Sequence, residues 1–340
     1  MTAGASPTGP LDAASPAPIW RLIQGLTAYF SVVAGDELGV FAALADGPAC
    51  PAVLARRCGA HEGRLASLLD GLVAAGVLER DGERYALTPT AAAYLVPGPG
   101  YLGALLRTSP GPLENWPALA ATVRGAPPPR DVGADGSFHA ELVRATFPAQ
   151  LAAARATVRE LDLRPARTAA RILDLGAGGA PWTIALLEAW PGATAVVNDL
   201  PPVAEVAAEK LAAAGLQARA SILEGSYFEV GLEADAFDVV VLAHVCRAEG
   251  EAGARRLVAR AARALCPGGE LLLADYPVDE DGRGPAQAQL LGVTMTANTR
   301  QGRAFTWSQA RAWAEDAGLG ALRVAAPLPP TSVLLARKGG

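Results

Sequence analysis

Histidine and cysteine are scarce in this chain. Among 340 residues there are three histidines and four cysteines. The cysteines, Cys50, Cys58, Cys246 and Cys266, form no CxxC pair and no zinc-type spacing. That argues against a disulfide framework and against a metal site, and it fits a reducing cytoplasm. A strong excess of one charge is also missing. The net charge of −5 is too mild for bulk attraction to nucleic acid or to an anionic membrane. No apolar run reaches the length of a membrane helix, since "GLTAYFSVVAG" and "LLLADYPV" are short and interrupted. The opening stretch "MTAGASPTGPLDAASPAP" has neither the basic start nor the apolar core of a signal peptide. Residues 1–16 read as a disordered Pro/Ala/Ser tail, and the expectation is a cytoplasmic protein without nucleic-acid or membrane partners.

What is present suffices for two folded domains. Hydrophobic residues make up 51% of the chain, enough for two cores at this length. From Ile19 onward, Trp20, Leu22, Ile23, Leu26, Tyr29 and Phe30 recur at three- and four-residue spacing, which predicts a helix. Two short helices and a hairpin closed near Asp81–Gly82 follow, the outline of a winged helix. The segment that would enter a DNA groove, "HEGRLASLLDGL", carries Glu62, Arg64 and Asp70 and few base-reading side chains. A structural or dimer-forming role is therefore expected in place of DNA binding. Helical segments continue to about Leu161, the last a long helix expected to kink at Pro148. Residues 17–162 read as one mostly helical, winged-helix-like domain that dimerises and covers the substrate.

Residues 163–340 change character. "RILDLGA", "ATAVVNDL", "ASILEGS", "FDVVVLAHV" and "ELLLADYP" are strands, and "PWTIALLEAW", "PVAEVAAEKLAAAG" and "EAGARRLVARAARAL" are helices between them. Such alternation predicts a doubly wound, Rossmann-like α/β sheet. "LRVAAPL" and "TSVLLARK" flank a proline turn, so the last strand is expected to run antiparallel. "LDLGAGGAPW" lies at the carboxyl end of the first of these strands, where such sheets bind ligands. A dinucleotide loop would need glycine or alanine where this chain has Pro181. Asp199 ends the second strand, where a carboxylate would meet ribose hydroxyls.

Asp174-x-Gly176-x-Gly178, Asp199 and "CPGGELLLADYP" resemble, in this order, the class I methyltransferases that use S-adenosyl-L-methionine (SAM). With "ELGVFAALADGP", "VNDLPPVAEVA" and "TMTANTRQGRAFTWSQARAWAEDAGL", the chain from Ile19 to Lys338 is similar to the bacterial and plant small-molecule O-methyltransferases. The resemblance implies a homodimer, SAM as cofactor and S-adenosyl-L-homocysteine (SAH) as product. It implies that Asp174, Gly176, Gly178, Asp199 and Leu200 hold the cofactor, with Ser226, Tyr227 and Phe228 near adenine and His244 near the SAM carboxylate. Ser226 stands where the family usually has aspartate. Phe138, Phe147, Met295 and Asn298 become candidates for the substrate cleft.

One departure bears on the chemistry. In "HVCRAEGE", Arg247 stands where the family has its general-base histidine, and Asp275 where it has the acidic residue beside that base. Arginine stays protonated, with a pKa above about 12, and cannot take a proton near neutral pH. Three readings follow. The substrate arrives as an anion that Arg247 orients; His244 or His139 serves as the base; or methyl transfer has given way to a cyclase-, pericyclase- or hydroxylase-like reaction. Asp275 is expected to pair with Arg247. Cys246 has no activating neighbour and reads as a buried small side chain. The favoured function is methyl transfer to oxygen or carbon of a small secondary metabolite. A SAM-sensing winged-helix regulator is the reading outside enzymes.

Overall fold

The computed structural model describes residues 15–98, 100–161, 163, 168–328 and 331–340, with only the backbone of 326–328. Residues 1–14 of the expected tail, part of the linker "RPARTAA" and the proline turn at 329–330 lie outside the described residues. The chain divides into two compact units, residues 1–107 and 108–340. The division falls earlier than the expected boundary at 162.

In the first unit, α1 (Ala17–Glu37) starts with proline in its first turn, where the missing N–H costs nothing. Its apolar stripe is not folded into its own unit: Trp20, Leu22, Ile23 and Leu26 remain 53–76% exposed. Only Gly35 is buried, close enough to Leu72 and Phe41 that a Cβ would lie 3.1–3.3 Å from them. Then come α2 (Val40–Ala43), α3 (Pro51–Cys58), α4 (Glu62–Ala74) and the hairpin β1 (Leu78–Asp81) and β2 (Arg84–Leu87), followed by α5 (Pro89–Tyr94) and α6 (Gly103–Thr108). The hairpin turns at Gly82, whose φ of 57° suits glycine, as the Asp-Gly pair implied. Phe41, Leu54, Leu69, Leu72, Leu78 and Tyr85 form the core. Asp70 on α4 accepts hydrogen bonds from Tyr85 Oη at 2.7 Å and Arg80 at 2.8 Å. These bonds tie the candidate groove helix to the hairpin.

The second unit contains α7 (Leu119–Val123), α8 (Gly136–Glu160) and the seven-stranded sheet with its helices. Asp135 caps α8 by accepting the Phe138 N–H at 3.0 Å, and the helix continues through Pro148. The helix was expected with the N-terminal domain. Instead it packs on the helices of the sheet, with Ala154 and Val158 in the same core as Ile172, Trp182 and Leu187.

The strands are β3 (Arg171–Leu175), β4 (Thr194–Asp199), β5 (Ala220–Glu224), β6 (Phe237–Ala243), β7 (Leu265–Asp275), β8 (Leu319–Leu328) and β9 (Thr331–Lys338). Their order is β5-β4-β3-β6-β7-β9-β8, with β3 to β7 parallel and β9 antiparallel between β7 and β8. The short connection from β8 permits only the antiparallel entry of β9. The helices are α9 (Pro181–Ala189), α10 (Pro201–Ala213), α11 (Cys246–Ala264), α12 (Ala286–Asn298) and α13 (Trp307–Asp316). Ile172, Leu173 and Leu175 are fully buried, each worth about 1.5–3 kcal/mol against exposure. The order reverses beside β3, with β4 on one side and β6 on the other. A crevice is expected at that switch point, outside the carboxyl ends.

Among the described residues, no helix is long and apolar enough to cross a membrane.

Candidate active site

The loop after β3 is held open by its backbone. Gly176 and Gly178 have φ of 67° and 60°, a region costly for residues with a Cβ. A Cβ on Gly176 would lie 2.5 Å from Val245 and 3.2 Å from Tyr227; one on Gly179 would lie 2.8 Å from Phe147. The N–H groups of Gly176 and Ala177 donate to the Asn198 carbonyl at 2.9 and 3.0 Å. The Asn198 side chain in turn donates to the carbonyls of Leu223 and Gly225. One buried asparagine thereby ties the loops after β3, β4 and β5 together.

Two carboxylates flank this loop. Asp199 Oδ2 accepts the Gly178 N–H at 2.8 Å and Oδ1 accepts the Leu200 N–H at 2.7 Å. Each oxygen keeps a lone pair for a further donor. Burial pushes the Asp199 carboxyl up, while the two backbone N–H groups pull it down. Asp174 is buried; its Oδ2 accepts from Thr183 Oγ1 at 2.7 Å, and its Oδ1 has no partner. Burial raises its pKa to about 7, against the hydrogen bond from Thr183 and with a smaller push from Asp199. An unpaired buried carboxylate oxygen beside a glycine loop suits a cationic ligand group.

The stretch after β6 forms a second centre. His244 takes a left-handed φ of 62°, unusual for a residue with a side chain. Arg247 Nη1 donates to Asp275 Oδ1 at 2.5 Å, and the guanidinium lies 5.4 Å from the Tyr276 ring centroid. Burial alone would raise the Asp275 carboxyl, but Arg247, with help from His244 and the Tyr276 N–H, holds it at about 2. His244 Nδ1 is 3.8 Å from Asp275 Oδ1, too far for a hydrogen bond. Both His244 ring nitrogens are buried without partners. Burial pushes the imidazole down, Asp275 opposes this, and Arg247 adds to the depression. Glu249 accepts from Tyr227 Oη at 2.5 Å.

Gly250, with φ 63° and ψ −175°, interrupts α11 and sets the turn Cys246–Glu249 apart from the rest of that helix. A Cβ there would lie 2.3 Å from the Gln301 carbonyl oxygen.

Comparison with known proteins decides the family. The O-methyltransferase domain matches residues 125–320, and the O-methyltransferase dimerisation domain matches residues 20–97. The chain belongs to the O-methyltransferase family. It is 31% identical to 3-hydroxy-5-methyl-1-naphthoate 3-O-methyltransferase of Streptomyces sahachiroi, over 95% of each chain. The structure of mitomycin 7-O-methyltransferase MmcR aligns with TM-score 0.83 at 26% identity, over 96% of this chain and 99% of that one. Human N-acetylserotonin methyltransferase, solved in complex with SAM, aligns with TM-score 0.80 at 24% identity, over 96% and 99%. SAM is the cofactor of this O-methyltransferase, and the loop fits it. Glycines allow close backbone approach, Asp199 keeps acceptor capacity for ribose, and Asp174 has an oxygen in want of a cation. When bound, SAM supplies a methyl group on a sulfonium, activated for attack by a nucleophile.

Several expected site residues are placed differently within the O-methyltransferase fold. His139, a candidate base, acts electrostatically on Asp135 and Asp199. That places its charge within reach of the Asp199 carboxylate. Phe147 packs against Gly179 and under Lys210, 5.4 Å from its ring centroid, so it braces the glycine loop. Asn298 is buried with its amide nitrogen donating to the Pro110 and Thr294 carbonyls and its oxygen accepting from Asn115 at 2.8 Å. Phe228 is stacked by Arg256, 3.8 Å from its centroid, leaving Tyr227 as the aromatic beside Gly176. Ser226 Oγ accepts the Phe228 N–H at 3.2 Å and keeps one lone pair. Leu200 joins a small apolar cluster with Ala140 and Val203. Phe138 stands edge-on to His139, 5.6 Å between centroids, and Met295 is half-buried on α12.

Cys246 is buried, which pushes its thiol up, in keeping with an inert side chain. Thr183, Asn198 and Tyr276 were passed over in the sequence, as was Gln150, whose amide donates to Tyr276 Oη at 2.9 Å. A polar residue inside an otherwise apolar run, as at Thr183 and Asn198, was the available signal.

Proposed function

We propose that this chain transfers the methyl group of SAM to an oxygen of a small aromatic or enolisable secondary metabolite, working as a homodimer in natural-product biosynthesis. One juxtaposition carries the reading: Asp174 and Asp199 end β3 and β4 around the glycine loop, while Arg247, in the turn after β6, pairs with Asp275 at the end of β7, so both groups lie at the carboxyl edge of the same run of parallel strands. The first groups suit the cofactor; the second occupy the position of the family's proton-transfer pair. Transfer then depends on holding the acceptor oxygen, methyl carbon and sulfur in line. Similarity to a hydroxynaphthoate O-methyltransferase and to a mitomycin O-methyltransferase from Streptomyces lavendulae supports an aromatic or quinonoid acceptor.

The exposed apolar stripe of α1, within the matched dimerisation domain, supports pairing through the N-terminal unit. Four free thiols support a cytoplasmic setting.

Mass spectrometry of reactions with a panel of hydroxynaphthoates and hydroxyquinones tests the proposal. The expected product is one methylene equivalent heavier than its substrate, with one SAH formed per product. A product isomeric with its substrate, with SAM unconsumed, would instead assign a cyclase.

A further inference from the structure

The position that should accept the substrate's proton holds a group that cannot. Arg247 is paired to Asp275, and its side chain is 18% exposed while that of Asp275 is fully buried. Part of the Arg247 side chain is therefore open to a substrate, while the carboxylate is not. Each other titratable group around Arg247 is unsuited to act as base. The ring nitrogens of His244, in the same turn, are buried. Asp275 is held at about 2 by Arg247 against the effect of burial. Glu249 is committed to Tyr227. Tyr276 accepts from Gln150 through its hydroxyl, and Cys246 is buried. Arg303 donates its backbone N–H to the Arg247 carbonyl at 2.9 Å, and its side chain pairs with Glu251.

We infer that the substrate is an oxygen acid already ionised near neutral pH, and that Arg247 binds and orients its anion so that methyl transfer needs no base from the protein. This rests on the methyltransferase reading above. The fitting class is a phenol acidified by a neighbouring acyl or quinone carbonyl, an enolised 1,3-dicarbonyl or a carboxylic acid. Asp275 is a positioning residue: it fixes one edge of the guanidinium and leaves the other nitrogens free to pair with the anion. The chemistry balances without a proton. The ionised oxygen gives its lone pair to the methyl carbon, the carbon–sulfur pair returns to sulfur, and anion and sulfonium both become neutral.

The test reads binding, not turnover. The full chain is saturated with SAH, which cannot donate a methyl group, and titrated with a nitronaphthol whose phenolate absorbs in the visible, and with its methyl ether. The bound nitronaphthol is expected to ionise about one to two pH units below its midpoint in water. R247Q should bind the phenolate at least about tenfold more weakly and restore the free midpoint, with affinities for SAH and the methyl ether unchanged. R247K should keep part of the effect. An unshifted midpoint, no preference for the anion, or R247Q behaving as the unmodified protein overturns the inference. Failure to bind SAH would instead strike at the methyltransferase reading.

Discussion

Replacing Asp199 by alanine is expected to weaken SAH binding by about two to three orders of magnitude while leaving the fold intact. The carboxylate accepts the N–H groups of Gly178 and Leu200, so it sets the shape of the glycine loop before any ligand arrives. With alanine there, both backbone donors lose a charged partner and ribose loses its acceptor. Hydrogen bonds to a charged group are worth about 1.5–3 kcal/mol each, so losing two at the lower half of that range gives the expected change at about 1.4 kcal/mol per decade. Asp199→Asn should fall between, because one oxygen remains to take one of the two N–H groups. Isothermal calorimetry checks the affinities. Urea unfolding separates the loss from misfolding, because the strand core around Leu173 and Val197 is untouched. Binding by Asp199→Ala within about threefold of the unmodified protein would remove this residue from the cofactor site.

The second large effect concerns stability. Asp275→Ala is expected to cost about 3–5 kcal/mol, because it leaves the mostly buried Arg247 guanidinium unpaired and removes the acceptor of the Tyr276 N–H. Replacing the pair together, as Arg247→Met with Asp275→Leu, should recover most of that stability, since two apolar side chains leave no uncompensated charge. The pH dependence follows from the Asp275 pKa of about 2, below its ordinary value of 3.8. A carboxyl depressed on folding stabilises above its unfolded pKa, and its contribution is lost as pH falls towards 2. Urea midpoints at pH 7 and pH 3 for the single and double variants measure both effects. Equal stability of Asp275→Ala and the unmodified protein at pH 7 would mean that the ion pair contributes nothing.

Much of the second unit was legible because its signals are local. The alternation of apolar strands with helices gave the parallel sheet, and the proline between "LRVAAPL" and "TSVLLARK" gave the antiparallel β9. The glycine turn at Gly176 and Gly178, with φ of 67° and 60°, was readable because glycines between a strand and a helix mark a left-handed turn. Partners were less readable. Gln150 and Tyr276 are 126 residues apart and Tyr227 and Glu249 are 22 apart; periodicity names a face and not what lies across from it. For the same reason Phe147 and Asn298 were assigned to the substrate cleft, while the structure packs one against the glycine loop and spends the amide of the other on Asn115, Pro110 and Thr294. Gly250 carried no local sign of its positive φ or of the Gln301 carbonyl, 51 residues on, that leaves no room there for a Cβ. The unit division at 107 was hidden because α8 looks like any amphipathic helix until its partners, α9 and α10, are known.

The central claim is that the loop between Asp174 and Asp199 holds the cofactor. Asp174, with a pKa of about 7 and an unpaired oxygen, provides the most direct measurement. SAH carries an ammonium group, whose charge favours the carboxylate form. Calorimetric titration at pH 7 in two buffers of different ionisation enthalpy should show micromolar or tighter binding with release of about half a proton, and Asp174→Asn should release markedly less. No binding heat, or binding with no proton released, would contradict the assignment.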